Sequence, residues 1–317
     1  MNIGFDAKRA YQNNTGLGHY SRTLLKSLAE SFPQHQYILF APKITDRFNT
    51  SNWSNMRTVT PQKFPSSWLR SLWRSRWVKH DLIENKIDIY HGLSHEIPTG
   101  LNSLPMKKIV TVHDLIFERY PSQYNKADVL IHRKKIQYAC RNSDRVIAIS
   151  QQTKDDLINL YRINENKIDI CYQSCNPAFG EEISAAEISY VKVKYQLPDK
   201  FLLYVGSIIE RKNLLTICKA IHTLGDELDR PLVAIGEGGT YKNQVKEYIK
   251  QNKLEEKIIL LSEHPTAANS PEFRSAADFP AIYKAATAMI YPSVFEGFGI
   301  PVLEALLAGL PVITSNV

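Results

Sequence analysis

Residues 295–309 read FEGFGIPVLEALLAG, which sets Glu296 and Glu304 eight positions apart, with Gly297, Phe298 and Gly299 just after the first carboxylate. The two glycines relieve the backbone around Phe298, and Pro301 suits a first helical turn. Leu303, Leu306 and Leu307 supply an apolar helix face, and Gly309 is placed to end the helix. Such a turn aims backbone amides at whatever lies above it, which suits a phosphate. Carboxylates repel phosphate, so the two glutamates are expected to engage uncharged hydroxyls, which an ionised carboxylate accepts two at a time. Sugar, diphosphate and ribose in a row satisfy the whole construction, and together they make a nucleotide-sugar. The competing reading, a helix whose second glutamate faces water, leaves the paired glycines and Glu296 unexplained.

A second stretch, FLLYVGSIIERKNLLTI, carries Gly206, Ser207, Arg211 and Lys212 from the end of a buried-type strand into a helix. Two cations at a helix start oppose the macrodipole, which favours acidic residues there, so an arriving anion is the better explanation. A solvated basic turn is the alternative. In DAKRAYQNNTGLGHYSRTLLKSLA, a polar turn from Asn13 to Gly18 follows the opening strand. Gly16 and Gly18 let the backbone approach a ligand, although a lone G-x-G is equally an ordinary strand-to-helix turn, and no Walker A lysine follows it. In YHGLSHEIP, His91, His95 and Glu96 are read as a loop after IDIY, with His91 free to touch a substrate, rather than as a metal site. Cys171 and Cys175 find no second ligand pair and are read as ordinary thiols, so no metal is expected.

The elements that must position these residues follow from periodicity. NIGF, YILF, IDIY, KIVTV, RVIAI and KIDIC, then FLLYV, PLVAI, KIILL, AMIY and PVIT alternate with amphipathic helical patterns. That rhythm predicts α/β architecture with parallel sheets covered by helices on both faces. These eleven strands exceed one usual open sheet, so two sheets are expected. The polar stretch after Pro177 and Gly180 sets the boundary near residue 180, giving domains 1–180 and 181–317. The chain has 44 % hydrophobic residues and a net charge of +7. That charge suits an anionic partner without naming it. The longest apolar runs are too short to span a bilayer, and the N-terminus lacks a signal-peptide core, so a cytoplasmic location is expected.

With these residues in place, YPSVFEGFGIPVLEALLAGLPVITSN resembles the signature of family 4 retaining glycosyltransferases, whose Glu, seven residues, Glu motif falls on Glu296 and Glu304. IGFDAKRA, TGLGHYSR, VHDLIFERYP, AISQQTKDDLI and YVGSIIERKNL match the family pattern in the same order. The resemblance implies the GT-B fold, two Rossmann-like domains with parallel sheets facing across a cleft. It implies that Glu296 binds donor-sugar hydroxyls, with Gly297, Phe298 and Gly299 near sugar and phosphate. Glu304 would hold the ribose, Arg211 and Lys212 would neutralise the diphosphate, and the Gly16–Gly18 loop would close from the first domain. His113 matches the family histidine beside the reacting sugar. The implied reaction is sugar transfer with retention from a nucleotide diphosphate sugar, GDP-mannose by similarity to bacterial sequences, to a glycan or lipid-linked glycan acceptor in surface polysaccharide assembly. No cofactor is implied, and the sequence has no Asp-x-Asp metal motif, so fixed cations and helix amides are expected to stabilise the departing diphosphate.

Two departures are visible. Ser207 stands where many relatives carry an arginine. The sequence ends at PVITSNV, where relatives continue through further helices, so the second domain is expected to be incomplete, poorly stable and inactive if nothing completes it. An inactive homologue that still binds nucleotide-sugar therefore stays open beside the enzyme. A basic nucleic-acid binder lacks any recognition motif. Residues 66–83 pack Trp68, Trp73 and Trp77 among Arg70, Arg74, Arg76 and Lys79. Such a helix either lies peripherally on an acidic membrane or packs on its own sheet through Leu69, Leu72, Trp73 and Val78.

Overall fold

A computed structural model of the chain describes residues 1–13, 16–61 and 66–316. Asn14 and Thr15 of the first glycine turn, and Pro65 at the head of the tryptophan-rich stretch, lie outside the described residues. The chain divides into two compact units, Met1–Gln173 and Ser174–Val317. The division falls a few residues before the Pro177–Gly180 turn that suggested it. Phe179 in that turn packs edge-on against Tyr283, with ring centroids 4.8 Å apart, which ties the turn to the second unit.

The first unit holds β1 (Asn2–Asp6), β2 (Gln36–Phe40), β3 (Met56–Val59), β4 (Ile89–Gly92), β5 (Lys107–Val112), β6 (Arg145–Ala148) and β7 (Ile168–Ile170). They form one sheet in the order β3-β2-β1-β4-β5-β6-β7, every pair parallel. The continuous apolar runs of the sequence arise because the sheet is covered on both faces. In β2, for example, Ile38 and Phe40 enter one core cluster while Tyr37 and Leu39 enter the other. β3 escapes the sequence reading because it is an edge strand with only Met56 buried.

The second unit holds β8 (Leu202–Val205), β9 (Leu232–Ile235), β10 (Ile258–Leu260), β11 (Ala288–Tyr291) and β12 (Val312–Thr314), parallel in the order β10-β9-β8-β11-β12. Leu203 and Val205 face one cluster, Leu202 and Tyr204 the other. Each sheet reverses its strand order once, between β1 and β4 in the first unit and between β8 and β11 in the second. Ligands of open α/β sheets sit beyond the carboxyl ends of the strands at such reversals.

The motif helix, Ile300–Leu307, starts at Gly299, whose φ of 91° is left-handed, and closes at Gly309 with φ 73°. Its core face corrects the sequence reading. Val302, Ala305 and Ala308 pack inward, while Leu306 and Leu307 are 60 % and 45 % exposed. Leu303 is half-buried, so of the three leucines it is Leu306 and Leu307 that leave the core face to the small side chains.

Candidate functional site

At the reversal of the second sheet, the loops after β8 and β11 meet. Arg211 and Lys212 lie in a 3-10 turn, Glu210–Lys212, one step before the helix Leu214–Leu224 rather than inside its first turn. Asn213 joins the two with a left-handed φ of 58°. The chain folds this way because Arg211 is used as a clamp: its carbonyl accepts from Val294 N at 2.9 Å and its Nη1 donates to the Phe295 carbonyl at 2.5 Å. The same Nη1 lies 3.1 Å from Glu296 Oε2, while Lys212 Nζ is 2.5 Å from Glu296 Oε1. Tyr291, the last residue of β11, completes the knot. Its hydroxyl accepts from Lys212 Nζ and donates to Glu296 Oε1 at 3.1 Å, and the lysine also sits over its ring, 4.7 Å from the centroid. Ser293 Oγ donates to the same carboxylate oxygen at 2.5 Å.

Burial would raise the Glu296 pKa, but Lys212 and Arg211 outweigh it and hold the carboxyl below its usual range. Glu296 is therefore an anion whose partners are the two cations expected to receive diphosphate. Arg211 Nε is shielded from solvent and has no hydrogen-bond partner, so the guanidinium retains one uncommitted donor.

Glu304 behaves differently. The hydroxyl of buried Tyr283 donates to its Oε2 at 3.0 Å. Burial pushes its pKa up to about 7, against the lowering effect of the Tyr283 hydrogen bond. It does not face bulk solvent. Gly297, Phe298 and Gly299 are half-buried between the two glutamates, which leaves this turn accessible to a ligand. Gly206 and Ser207 follow β8, where the Ser207 carbonyl accepts from Tyr204 Oη at 3.1 Å. A neighbouring loop that sequence reading passed over, GEGG at 236–239, packs against them. A Cβ on Gly236 would come within 1.9 Å of the Gly206 carbonyl oxygen, and one on Gly238 within 2.1 Å of that of Ile208. Paired glycines after a strand were the signal for it. Tyr291, Ser293 and Tyr283 had no such signal, because nothing local to them indicates a hydroxyl turned toward Lys212 or Glu304.

In the first unit, Gly16 opens the helix Gly16–Ser31 and Gly18 lies within its first turn, so both glycines are helical rather than part of a preceding loop. Gly18 is required by contact: a Cβ there would meet the Asn13 carbonyl oxygen at 2.0 Å. His91 lies inside β4, not in a loop after it, and its Nε2 pairs with Thr111 Oγ1 at 2.8 Å in the core. Burial lowers its pKa to about 3. As placed, it is a structural residue of the sheet. His113, just past β5, is also buried, and both its nitrogens are occupied. Gln173 Nε2 donates to Nδ1 at 3.0 Å, which leaves Nε2–H to donate to the Leu93 carbonyl at 2.9 Å. Burial lowers its pKa to about 3, so the ring is neutral and is no proton donor at neutral pH.

Glu96 is taken up by two cations. Arg74 Nη1 reaches its Oε2 at 2.9 Å and Lys135 Nζ its Oε1 at 3.1 Å. Arg74 also grips Asp6, with Nε 2.9 Å and Nη2 2.6 Å from Oδ2. This inward use of Arg74 fits the alternative in which the tryptophan helix packs on its own sheet, as does Trp73, which is 2 % exposed and donates to Asp81 Oδ2 at 2.7 Å. A π turn at Trp73–Trp77 interrupts that helix and turns both side chains under it. Trp68, 68 % exposed, remains on the surface.

Two parallel-sheet units of this kind, one with a Glu-x7-Glu helix at its strand reversal, define a GT-B glycosyltransferase. The chain belongs to Glycosyltransferase Family 4, whose pattern matches residues 14–179, and the pattern of glycosyl transferases group 1 matches residues 189–317. O-antigen chain mannosyltransferase B of Escherichia coli is 26 % identical over 319 aligned positions, covering 96 % of this chain and 79 % of that protein. A Campylobacter jejuni enzyme, named as an N-acetylgalactosaminyltransferase acting on a diphospho-undecaprenol-linked sugar, is 27 % identical over 61 % of this chain and 47 % of its own length. The solved glycosyltransferase of Rickettsia africae ESF-5 shares the fold, with a TM-score of 0.70 at 18 % identity, over 100 % of this chain and 79 % of that one.

Proposed function

We propose that the chain transfers a hexose, mannose in the first instance, from a nucleotide diphosphate sugar to a hydroxyl of a glycan or lipid-linked glycan, with retention, in surface-polysaccharide assembly. One observation carries this reading: Arg211, Lys212 and Glu296 converge at the strand reversal of the second sheet, with Glu304 on the helix that follows. A diphosphate offers more negative charge than one carboxylate, so an arriving donor competes with Glu296 for Lys212 and the uncommitted Arg211 Nε. Glu296 is then released toward the sugar hydroxyls. Glu304, once ionised, accepts the two ribose hydroxyls. As the glycosyl-phosphate bond breaks, negative charge grows on the diphosphate, and the cations and motif amides stabilise it there.

The relative named as an O-antigen mannosyltransferase supports mannose, with GDP as the base-bearing half of the donor. The residues assigned here supply the positive charge without a metal. His113, neutral and doubly bonded, would act by shape and by its place beside the sugar. Residues 66–83 would touch an acidic membrane through exposed Trp68 and Ile83, at the cytoplasmic face where a lipid-linked acceptor is met. The test is a thermal-shift screen of uridine, guanosine, adenosine and thymidine diphosphates and their sugars, followed by a transfer assay with the best stabiliser. Stabilisation by a guanosine diphosphate sugar with transfer supports the reading. The absence of stabilisation by any nucleotide overturns it.

A further inference from the structure

The strand reversal of the first sheet carries a second concentration of charge, and it is built differently. β1 pairs with β4 and β4 with β5, so the segments just past Asp6, Gly92 and Val112 come together at one end of three adjacent strands. Most of the charge there is already matched: Asp6, Arg74, Glu96 and Lys135 form one chain of ion pairs. Two side-chain nitrogens are left over among the described residues. Arg9 Nε is shielded from solvent and unpartnered, and Arg9 enters no ion pair among the described residues. His95 Nδ1 is likewise shielded and unpartnered. His95 is held in a left-handed conformation, φ 63°, by its own amide, which donates to the Thr111 carbonyl at 2.9 Å, and its ring lies 5.3 Å from that of His113.

An unmet buried nitrogen is costly and calls for a partner, and here two of them, on Arg9 and His95, fall at the same end of adjacent strands. The surroundings fix the sign of the ligand. The charge of Arg9 acts on His95, His113 and Lys8, each of which is made harder to protonate, mainly by burial and in part by Arg9. An anion relieves every one of these positions, whereas a neutral hydroxyl relieves none of the repulsion.

We infer that Arg9 and His95 form a phosphate site at the strand reversal of the first sheet, and that it takes the diphosphate of a diphosphate-linked sugar acceptor. The acceptor assignment rests on the glycosyltransferase reading; the phosphate site does not. Arg9 supplies a charged donor, and neutral His95 supplies an Nδ1–H. The Campylobacter relative, named for a diphospho-undecaprenol-linked substrate, is consistent with this chemistry.

The test has a binding arm and a kinetic arm. Histidine ring resonances are followed by NMR while a short-chain isoprenyl diphosphate sugar, inorganic pyrophosphate or a methyl glycoside is added to the full chain. The diphosphate sugar should shift the His95 signal, pyrophosphate should shift it more weakly, and the methyl glycoside should leave it unmoved. Arg9→Gln should weaken the diphosphate response about tenfold, the cost of one charged hydrogen bond, and Arg9→Lys should restore part of it. In transfer, Arg9→Gln should raise KM for the diphosphate acceptor about tenfold with kcat little changed, and should not alter KM for the methyl glycoside. An unmoved His95 signal with all three ligands overturns the site, even if nucleotides stabilise the chain and transfer proceeds. A diphosphate-dependent His95 shift without turnover keeps the site and removes only the acceptor role. If Arg9→Gln raises KM for the nucleotide-sugar instead, the acceptor assignment falls.

Discussion

The two strand reversals use arginine in opposite ways. In the second unit, Arg211 and Lys212 share one partly exposed carboxylate, Glu296, which sits at 20 % exposure on a glycine-flanked turn. In the first, Arg74 is held by two carboxylates at once, and its main partner Asp6 is 4 % exposed. For Arg74, burial would lower the pKa, but Asp6 and Glu96 overcome it and raise the pKa. A cation whose carboxylate sits on a glycine-flanked turn can exchange it for a ligand, whereas one held by two carboxylates, one of them the buried Asp6, is part of the frame. Identical residue types thus stand on an open turn in one place and act as a strut in the other, and what sets them apart is the buried Asp6 beneath Arg74.

The sharpest break of this comparison is Arg74→Met. It strands the buried Asp6 carboxylate, and chemical denaturation should show a loss of about 3–5 kcal/mol, partly recovered by adding Asp6→Asn. Lys212→Ala should leave stability nearly intact while lowering transfer roughly a hundredfold and abolishing stabilisation by nucleoside diphosphates, because it removes a charge that matters most as the diphosphate departs. An equal loss of stability in both variants would erase the distinction drawn above.

Donor affinity should also depend on pH through Glu304. Its ionised form is the acceptor for two hydroxyls, so affinity should rise with pH up to about 7 and level off above it, and Glu304→Gln should flatten the profile. Stability runs the other way. Its folded-state pKa lies above the ordinary value of 4.5, so the native state keeps a proton that the unfolded chain releases. Its contribution therefore declines as pH rises from the ordinary value to about 7 and is constant beyond. Titrating denaturant midpoints of wild type against Glu304→Gln reads this directly. A smaller effect is expected from Tyr291→Phe, which removes one hydroxyl between Lys212 and Glu296 and should cost about 1 kcal/mol in kcat/KM. Smallest of all, Leu306→Gln on the exposed side of the motif helix should alter stability by no more than about 0.5 kcal/mol.

Much of the site was legible in one dimension. Glu296, Glu304, Arg211 and Lys212 were found because glycine spacing, helix punctuation and misplaced charge are local properties. What failed did so for lack of long-range information. Leu306 and Leu307 were assigned inward by periodicity, yet Ala305 and Ala308 take that face, which depends on how the helix is rotated on its sheet. His91 was read as a loop residue because the polar letters after IDIY hid two more strand positions. For the helix of Trp73 and Arg74 the choice between membrane surface and sheet packing stayed open, because the distant partner Asp6 of Arg74 leaves no mark in local composition.

The amino-acid sequence alone determined the class of fold, the two parallel sheets and the carboxylates and cations at the second strand reversal, since apolar period and turn chemistry act between near neighbours. Only the tertiary structure decided the partners: that Glu296 lies on Lys212, that Tyr291 bridges them, and that Arg9 and His95 keep unmet donors. Ion pairing and burial depend on which strands become adjacent, and residues 79 positions apart, as Lys212 and Tyr291 are, meet only once the sheet has formed.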